Sequence, residues 1–247
     1  MGWPESPEVL LAVPCFNERE RLDIGAFAAG AREHKLGILF VDDGSSDGTA
    51  EFIKAEIAGK PGLELLRCPE NRGKGAAVRE GTLHLARKYP QAEWIGFWDA
   101  DLSTPLSEIP HMLRFGEMDG GDYEAIWASR VMRGGSSITR SFKRHLFGRL
   151  FATAAGEMLG VRVYDSQCGA KLFRREVVPR VFGEEFVSRW IFDVELYGRL
   201  GHNKIVECPV KVWTHKPGSK ISVFRELPQI MGDLLRIRAN QERRATD

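Results

Sequence analysis

Five short apolar segments, residues 9–13, 37–41, 63–68, 94–98 and 125–129, alternate with longer stretches of helical pattern. Short β-rich runs separated by helices call for a mostly parallel α/β sheet covered on both faces, because parallel neighbours need a crossover that hairpins do not supply. Leu39-Phe40-Val41 shows no polar alternation and fits a strand buried on both sides. Ser45-Ser46-Asp47-Gly48 announces a helix over 49–57, and Ser103-Thr104-Pro105 one over 106–115. Another is expected over 76–88. In the second half we expect a long helix over 138–159, whose Phe147, Leu150, Phe151, Ala154 and Met158 recur at helical spacing. A strand over 170–173, a helix over 189–200, an extended stretch over 206–213 and a terminal helix over 227–238 follow.

The chain has 247 residues and 43% apolar content, enough for the core of one large α/β domain. Its net charge of +1 gives no polyelectrolyte character, which argues against nucleic acid as a partner. Cys15, Cys68, Cys168 and Cys208 stand singly, without zinc spacing, and read as reduced thiols of a cytoplasmic protein. Neither a signal peptide nor an apolar run long enough to span a bilayer is visible, so membrane contact is expected to be peripheral, at the cytoplasmic face.

Ligands of such sheets bind at the carboxyl ends of the strands. Here those ends are polar: Pro14-Cys15-Phe16-Asn17-Glu18, Asp42-Asp43-Gly44, Asn71-Arg72-Gly73-Lys74-Gly75 and Asp99-Ala100-Asp101. Two carboxylates one residue apart repel unless a cation compensates them, and Mg²⁺ or Mn²⁺ suits such a pair together with phosphate oxygens. A cation among glycines before a helix, as at Lys74, suits a phosphate or nucleotide, although the P-loop and GxGxxG spacings are absent. Asp47 reads more simply as a helix cap. Residues 130–149 carry Arg130, Arg133, Arg140, Lys143, Arg144 and Arg149 with no acid, around apolar Phe142, Leu146, Phe147 and Leu150. That surface suits an anionic amphiphile such as a lipid phosphate. Cys168 lacks a convincing base and reads as packing. Asp165 and Asp193 suit a sugar hydroxyl, a lysine or a helix cap, and Lys171 is placed to balance one of them.

In this order the clusters resemble family 2 glycosyltransferases of the GT-A fold. Asp165-Ser166-Gln167-Cys168-Gly169-Ala170-Lys171, residues 189–196 and Gly218-Ser219-Lys220-Ile221-Ser222 are most similar to the dolichyl-phosphate β-glucosyltransferase branch, with the mannose synthases a step further away. The resemblance covers nearly the whole chain. It implies a single GT-A domain, with residues 1–130 on the nucleotide-sugar side and 131–247 on the acceptor side. It also implies inverting transfer of a hexose from a nucleoside-diphosphate sugar, with UDP-glucose favoured, to a polyprenyl phosphate. By the same resemblance Pro14, Phe16, Glu18, Asp43, Lys74, Asp99 and Ala100 hold the nucleotide, Asp99 and Asp101 the metal, and Arg130 and Arg144 the acceptor phosphate. Asp101, Asp165 and Asp193 are then the catalytic candidates, the latter two where the donor sugar is held. Gly148 stands where the mannose synthases carry a serine, and Ser103 where they carry a glutamine; the latter departure shifts metal binding towards Asp101, the diphosphate and water, with Asp99 nearer the ribose or behind the ligands of the metal.

Two alternatives belong to different classes. A hydroxyl acceptor would require a general base, with Asp193 the first candidate. A silent nucleotide-sugar sensor has no need of the intact carboxylate pair.

Overall fold

The computed structural model describes residues 7–118, 120–139, 156–216 and 223–244. The first half runs through β1 (Val9–Cys15), α1 (Ile24–Glu33), β2 (Leu36–Asp43), α2 (Thr49–Glu56), β3 (Leu63–Cys68), α3 (Lys74–Lys88), β4 (Trp94–Trp98), α4 (Ile109–Met118) and β5 (Ala125–Ser129). The second contains β6 (Ser137–Thr139), β7 (Ala170–Arg174), α5 (Val178–Phe182), α6 (Phe192–Leu200), β8 (Ile205–Pro209), β9 (Val212–Thr214) and α7 (Val223–Arg244).

Seven strands form one sheet in the order β3-β2-β1-β4-β7-β5-β8. The pairings β2–β3, β1–β2, β1–β4 and β5–β8 are parallel, whereas β7 runs antiparallel to both β4 and β5. Strand order reverses at β1, which lies between β2 and β4; this is the switch point at which such sheets open a ligand crevice.

Pleating sends Leu10 and Ala12 of β1 to one hydrophobic core and Val9, Leu11 and Val13 to the other, so the strand reads as apolar throughout. Helix α3 lies close on the first of these faces. A Cβ at Gly81 would come 2.7 Å from both Ala12 Cβ and Val41 Cγ2, so only glycine allows that approach.

Several boundaries differ from expectation. Residues 138 and 139, anticipated as the start of a helix, belong to β6 instead, because Ser137–Thr139 pairs in parallel with β9, with Ile138 opposite Trp213. Most of the remaining span, with Arg144, Gly148 and the greater part of the basic run, lies outside the described residues, as does the Gly218-to-Ser222 segment. The helix expected from 189 starts at Phe192, since Ser188 Oγ accepts hydrogen bonds from Trp190 N and Ile191 N ahead of it. Helix α1, not among the helices expected above, is capped where Asp23 Oδ1 accepts from Ala26 N at 2.9 Å, and its Ile24, Phe27 and Ala31 face inward. Among the described residues no helix is long and apolar enough to cross a membrane.

Candidate active site

The polar clusters meet along the carboxyl edge of the sheet, each joined to its neighbour by hydrogen bonds or an ion pair. After β1, Asn17 takes a positive φ of 52°, its N–H donating to Ser45 Oγ and its Oδ1 accepting from Ser46 N, both at 2.9 Å. Glu18 N donates to Thr49 Oγ1, and Asp47 accepts from Arg19 N and Thr49 N, which makes Asp47 a bracket between two loops and not a ligand group. Pro14 and Glu18 are half-buried, Glu18 bound to Arg21, and Phe16 is 37% exposed.

Asp43, at the end of β2, carries the next junction. Its carboxylate accepts from Asn71 Nδ2 at 2.8 Å, Arg72 N at 3.0 Å and Gly73 N at 2.8 Å. Burial pushes its acidity weaker than usual, against the pull of the two backbone donors. Two glycines make the junction possible. Gly44, at φ 66°, passes so close that a Cβ would lie 2.5 Å from the Glu70 carbonyl carbon, and Gly73 adopts φ 95°. Arg189 closes the turn from outside, accepting from Gly75 N through its carbonyl and donating to the Asn71 side chain. Nothing in the local sequence marks Asn71 or Arg189 for these contacts, since each partner is distant in the chain.

Helix α3 begins at Lys74, whose Nζ lies 2.5 Å from Asp99 Oδ1. Burial alone would lower its pKa, but the carboxylates of Asp99, Asp193 and Asp101 outweigh that effect and hold the ammonium above its ordinary range. Asp99 is therefore compensated by a lysine already in place. Asp101 is placed differently: its Oδ1 accepts from Ser103 N at 2.8 Å, in a turn anchored where Trp98 Nε1 donates to the Thr104 carbonyl at 2.6 Å. Ala100, between them, is half-buried.

Among the described residues no group of three or more His, Cys, Asp or Glu is gathered to cage a metal. The donors present are hard carboxylate oxygens at an open edge. That set fits Mg²⁺ or Mn²⁺, ions that complete their shells with water and phosphate oxygens, and does not fit a closed tetrahedral site.

Next along the edge lies the segment 165–169. Asp165 accepts from Arg130 N at 2.9 Å and takes its guanidinium in a fork, 2.7 Å on each oxygen, while Glu207 Oε1 accepts from Asp165 N. The Arg130 guanidinium also stands 5.4 Å from the Trp213 ring centroid. Residues expected on the acceptor and sugar sides are thus bonded to each other. The Gly169 carbonyl accepts from Asp99 N at 2.8 Å, and a Cβ at Gly169 would fall 1.9 Å from Asp99 Oδ2. The Cys168 thiol is fully buried and pushed up to about 11 by that burial, the reverse of a poised nucleophile. Asp193, in the first turn of α6, is bound at 2.5 Å to Lys171 Nζ, so Lys171 balances this carboxylate.

A mostly parallel sheet with one antiparallel insertion and paired carboxylates at the end of β4 is the GT-A arrangement. Residues 11–182 match the model of Glycosyl transferase family 2, and the chain belongs to that family. It is 30% identical over 233 residues to the dolichyl-phosphate beta-glucosyltransferase of Dictyostelium discoideum, covering 92% of this chain and 67% of that protein. With the human dolichyl-phosphate beta-glucosyltransferase it shares 31% over 254 residues, covering 94% and 75%. The fold matches Mycobacterium tuberculosis glucosyl-3-phosphoglycerate synthase, crystallised with Mn²⁺, UDP-glucose and phosphoglyceric acid, with a TM-score of 0.69 at 16% identity, covering 94% of this chain and 80% of that one. It also matches Staphylococcus aureus TarS 1-349 in complex with UDP, with a TM-score of 0.62 at 14% identity, covering 95% and 65%.

Proposed function

We propose that this protein transfers glucose, with inversion, from UDP-glucose to a polyprenyl phosphate in a Mg²⁺- or Mn²⁺-dependent reaction. The glucosyl group and the lipid-phosphate acceptor are those in the names of its relatives, and UDP-glucose is the sugar nucleotide bound by the mycobacterial synthase of the same fold. The observation that carries the mechanism is that Asp165 and Asp193 are each bound to a cation of the protein, Arg130 and Lys171. Neither carboxylate is disposed to take a proton from a hydroxyl, which weakens the hydroxyl-acceptor reading. A phosphate monoester needs no such base, because it is already an anion at neutral pH and attacks once it is aligned opposite the leaving diphosphate.

In this reading Phe16 and Asp43 frame the base, with Pro14 and Glu18 lining the entrance and Ala100 passing close to the nucleotide. Lys74 and Asp99 set the charge beside the ribose and diphosphate. Asp101 is the principal protein ligand of the cation, with Asp99 nearer the ribose. When bound there, Mg²⁺ or Mn²⁺ stabilises the charge that develops on the leaving diphosphate. Arg130, held flat by Asp165, presents a guanidinium edge to the acceptor phosphate, and Arg144 is proposed as its second contact. The lipid chain implies a peripheral contact with a membrane.

The test is a panel of UDP-glucose, UDP-galactose, GDP-mannose and UDP-N-acetylglucosamine with a short polyprenyl phosphate, with and without chelator. Chelator-sensitive glucosyl lipid from UDP-glucose is expected. Glucose appearing only on water or a soluble hydroxyl would overturn the acceptor, and product that is insensitive to chelator would overturn the metal.

A further inference from the structure

Lys171 is an unusual residue for a central strand. It lies on β7, opposite Phe97 of β4 and Trp127 of β5, and is wholly buried. Its ammonium stands 5.2 Å from the Phe97 ring centroid and 4.7 Å from that of Trp127. A buried lysine is costly unless each of its three protons is used. Here all three are: Nζ donates to the Ser166 carbonyl at 2.9 Å, the Cys168 carbonyl at 2.6 Å and Asp193 Oδ1 at 2.5 Å.

Two of those acceptors lie in the middle of the segment whose ends serve opposite halves of the site. Asp165, at its start, carries Arg130 on both oxygens, and Gly169, at its end, takes the backbone N–H of Asp99. The third acceptor, Asp193, also acts electrostatically on Lys74, which pairs with Asp99. From inside the sheet, one ammonium thus fixes the segment between the acceptor arginine and the diphosphate clamp.

We propose that Lys171 is a positioning residue that sets the distance and angle between acceptor and donor by tying residues 166 and 168 to Asp193. The proposal rests on the transferase reading above. Lys171 touches no substrate; it acts through Arg130 and Asp99. Misplacing reacting groups by about 1 Å is enough to cost on the order of 10²-fold in rate.

Removing the lysine alone leaves Asp193 buried without its partner and risks unfolding, so the informative variant is K171M/D193L, in which the pair is replaced by apolar groups of similar size. We expect it to fold with one cooperative transition and to bind UDP with Mn²⁺ within about threefold of the wild type, since the base contacts lie elsewhere. Its kcat should fall about 10²-fold, and K171R should recover part of the loss. Combined with R130K, the losses should be smaller than their product, because both changes act through the same segment. Turnover within threefold of wild type in the folded double variant, or fully multiplicative losses, would overturn the proposal.

Amide exchange over residues 165–169, read by mass spectrometry without any acceptor, separates this inference from the activity it rests on. Faster exchange in K171M/D193L supports a fixed segment even if the wild type fails to glucosylate lipid. Unchanged exchange overturns it even if glucosyl lipid forms.

Discussion

Asp99 and Asp101 are chemically identical and one residue apart, yet their surroundings give them different tasks. Asp99 is neutralised by Lys74 and packed against Gly169; among the described residues Asp101 accepts one hydrogen bond, from Ser103 N in its own turn. Asp101→Ala therefore loses little stability, about 0.5–1.5 kcal/mol for that hydrogen bond. Turnover should drop at least 10²-fold, since charge stabilisation by a bound cation supplies several kcal/mol; unchanged kcat with Mn²⁺ present would remove the role. Lys74 offers a second test, through pH. Its folded pKa lies above the ordinary 10.5, so its contribution to stability is complete below that value and is lost as pH rises through the higher folded value. The difference in unfolding free energy between wild type and Lys74→Met should be flat at neutral pH and shrink only above about 10.5. The carboxylate pair was legible in the sequence because charge at the end of an apolar strand is expensive. Lys171 was legible as a counter-charge for one of the two later carboxylates, but the partner of Asp165 was not, since Arg130 and Asp165 are separated by 35 positions and only the fold brings them together. For the same reason Arg130→Ala is a poor probe of phosphate binding: it strands a buried carboxylate, whereas Arg130→Lys keeps the charge and loses only the fork.

Strands were the easiest elements to read. β1, β2 and β4 are buried on both faces, and their apolar runs have no competing explanation. β6 was the hardest: three residues long and exposed at its ends, it exists because β9 lies alongside it, a relation that local periodicity cannot contain. Helix α3 shows how close packing overrides propensity. Replacing Gly81 by alanine should favour an isolated helix by about 1 kcal/mol, but in the fold the new methyl would lie 2.7 Å from Ala12 and Val41. Overpacking of that kind costs about 1–3 kcal/mol, so the packing term wins and Gly81→Ala should be less stable. Because Lys74 starts the same helix, any outward shift carries the lysine away from Asp99, and affinity for UDP should fall with stability. A denaturant titration together with UDP binding would check both, and a more stable variant would show that the helix has room to move.

At the scale of the whole chain, sequence order and spatial order part company. β7, from the second half, is inserted between β4 and β5 of the first, and β8 closes the far edge beside β5. A fragment of residues 1–130 would leave β4 without its antiparallel neighbour and β5 without either partner, so the nucleotide and acceptor sides are expected to be functional regions of one folding unit. The full chain should then unfold in a single transition, with far-ultraviolet circular dichroism and tryptophan fluorescence superimposing. Two separated transitions would mean that the halves fold independently. Ligand linkage extends the test: UDP with Mn²⁺ at 100 times its dissociation constant adds about 2.7 kcal/mol, which for a chain of this size raises Tm by roughly 5–10 °C. If the sheet is one cooperative body, both probes must report the same rise, although the nucleotide contacts proposed above lie mainly in the first half. Chelator should cancel most of the shift, leaving the part owed to the base and ribose contacts, and in Asp101→Ala the shift should be small with or without chelator.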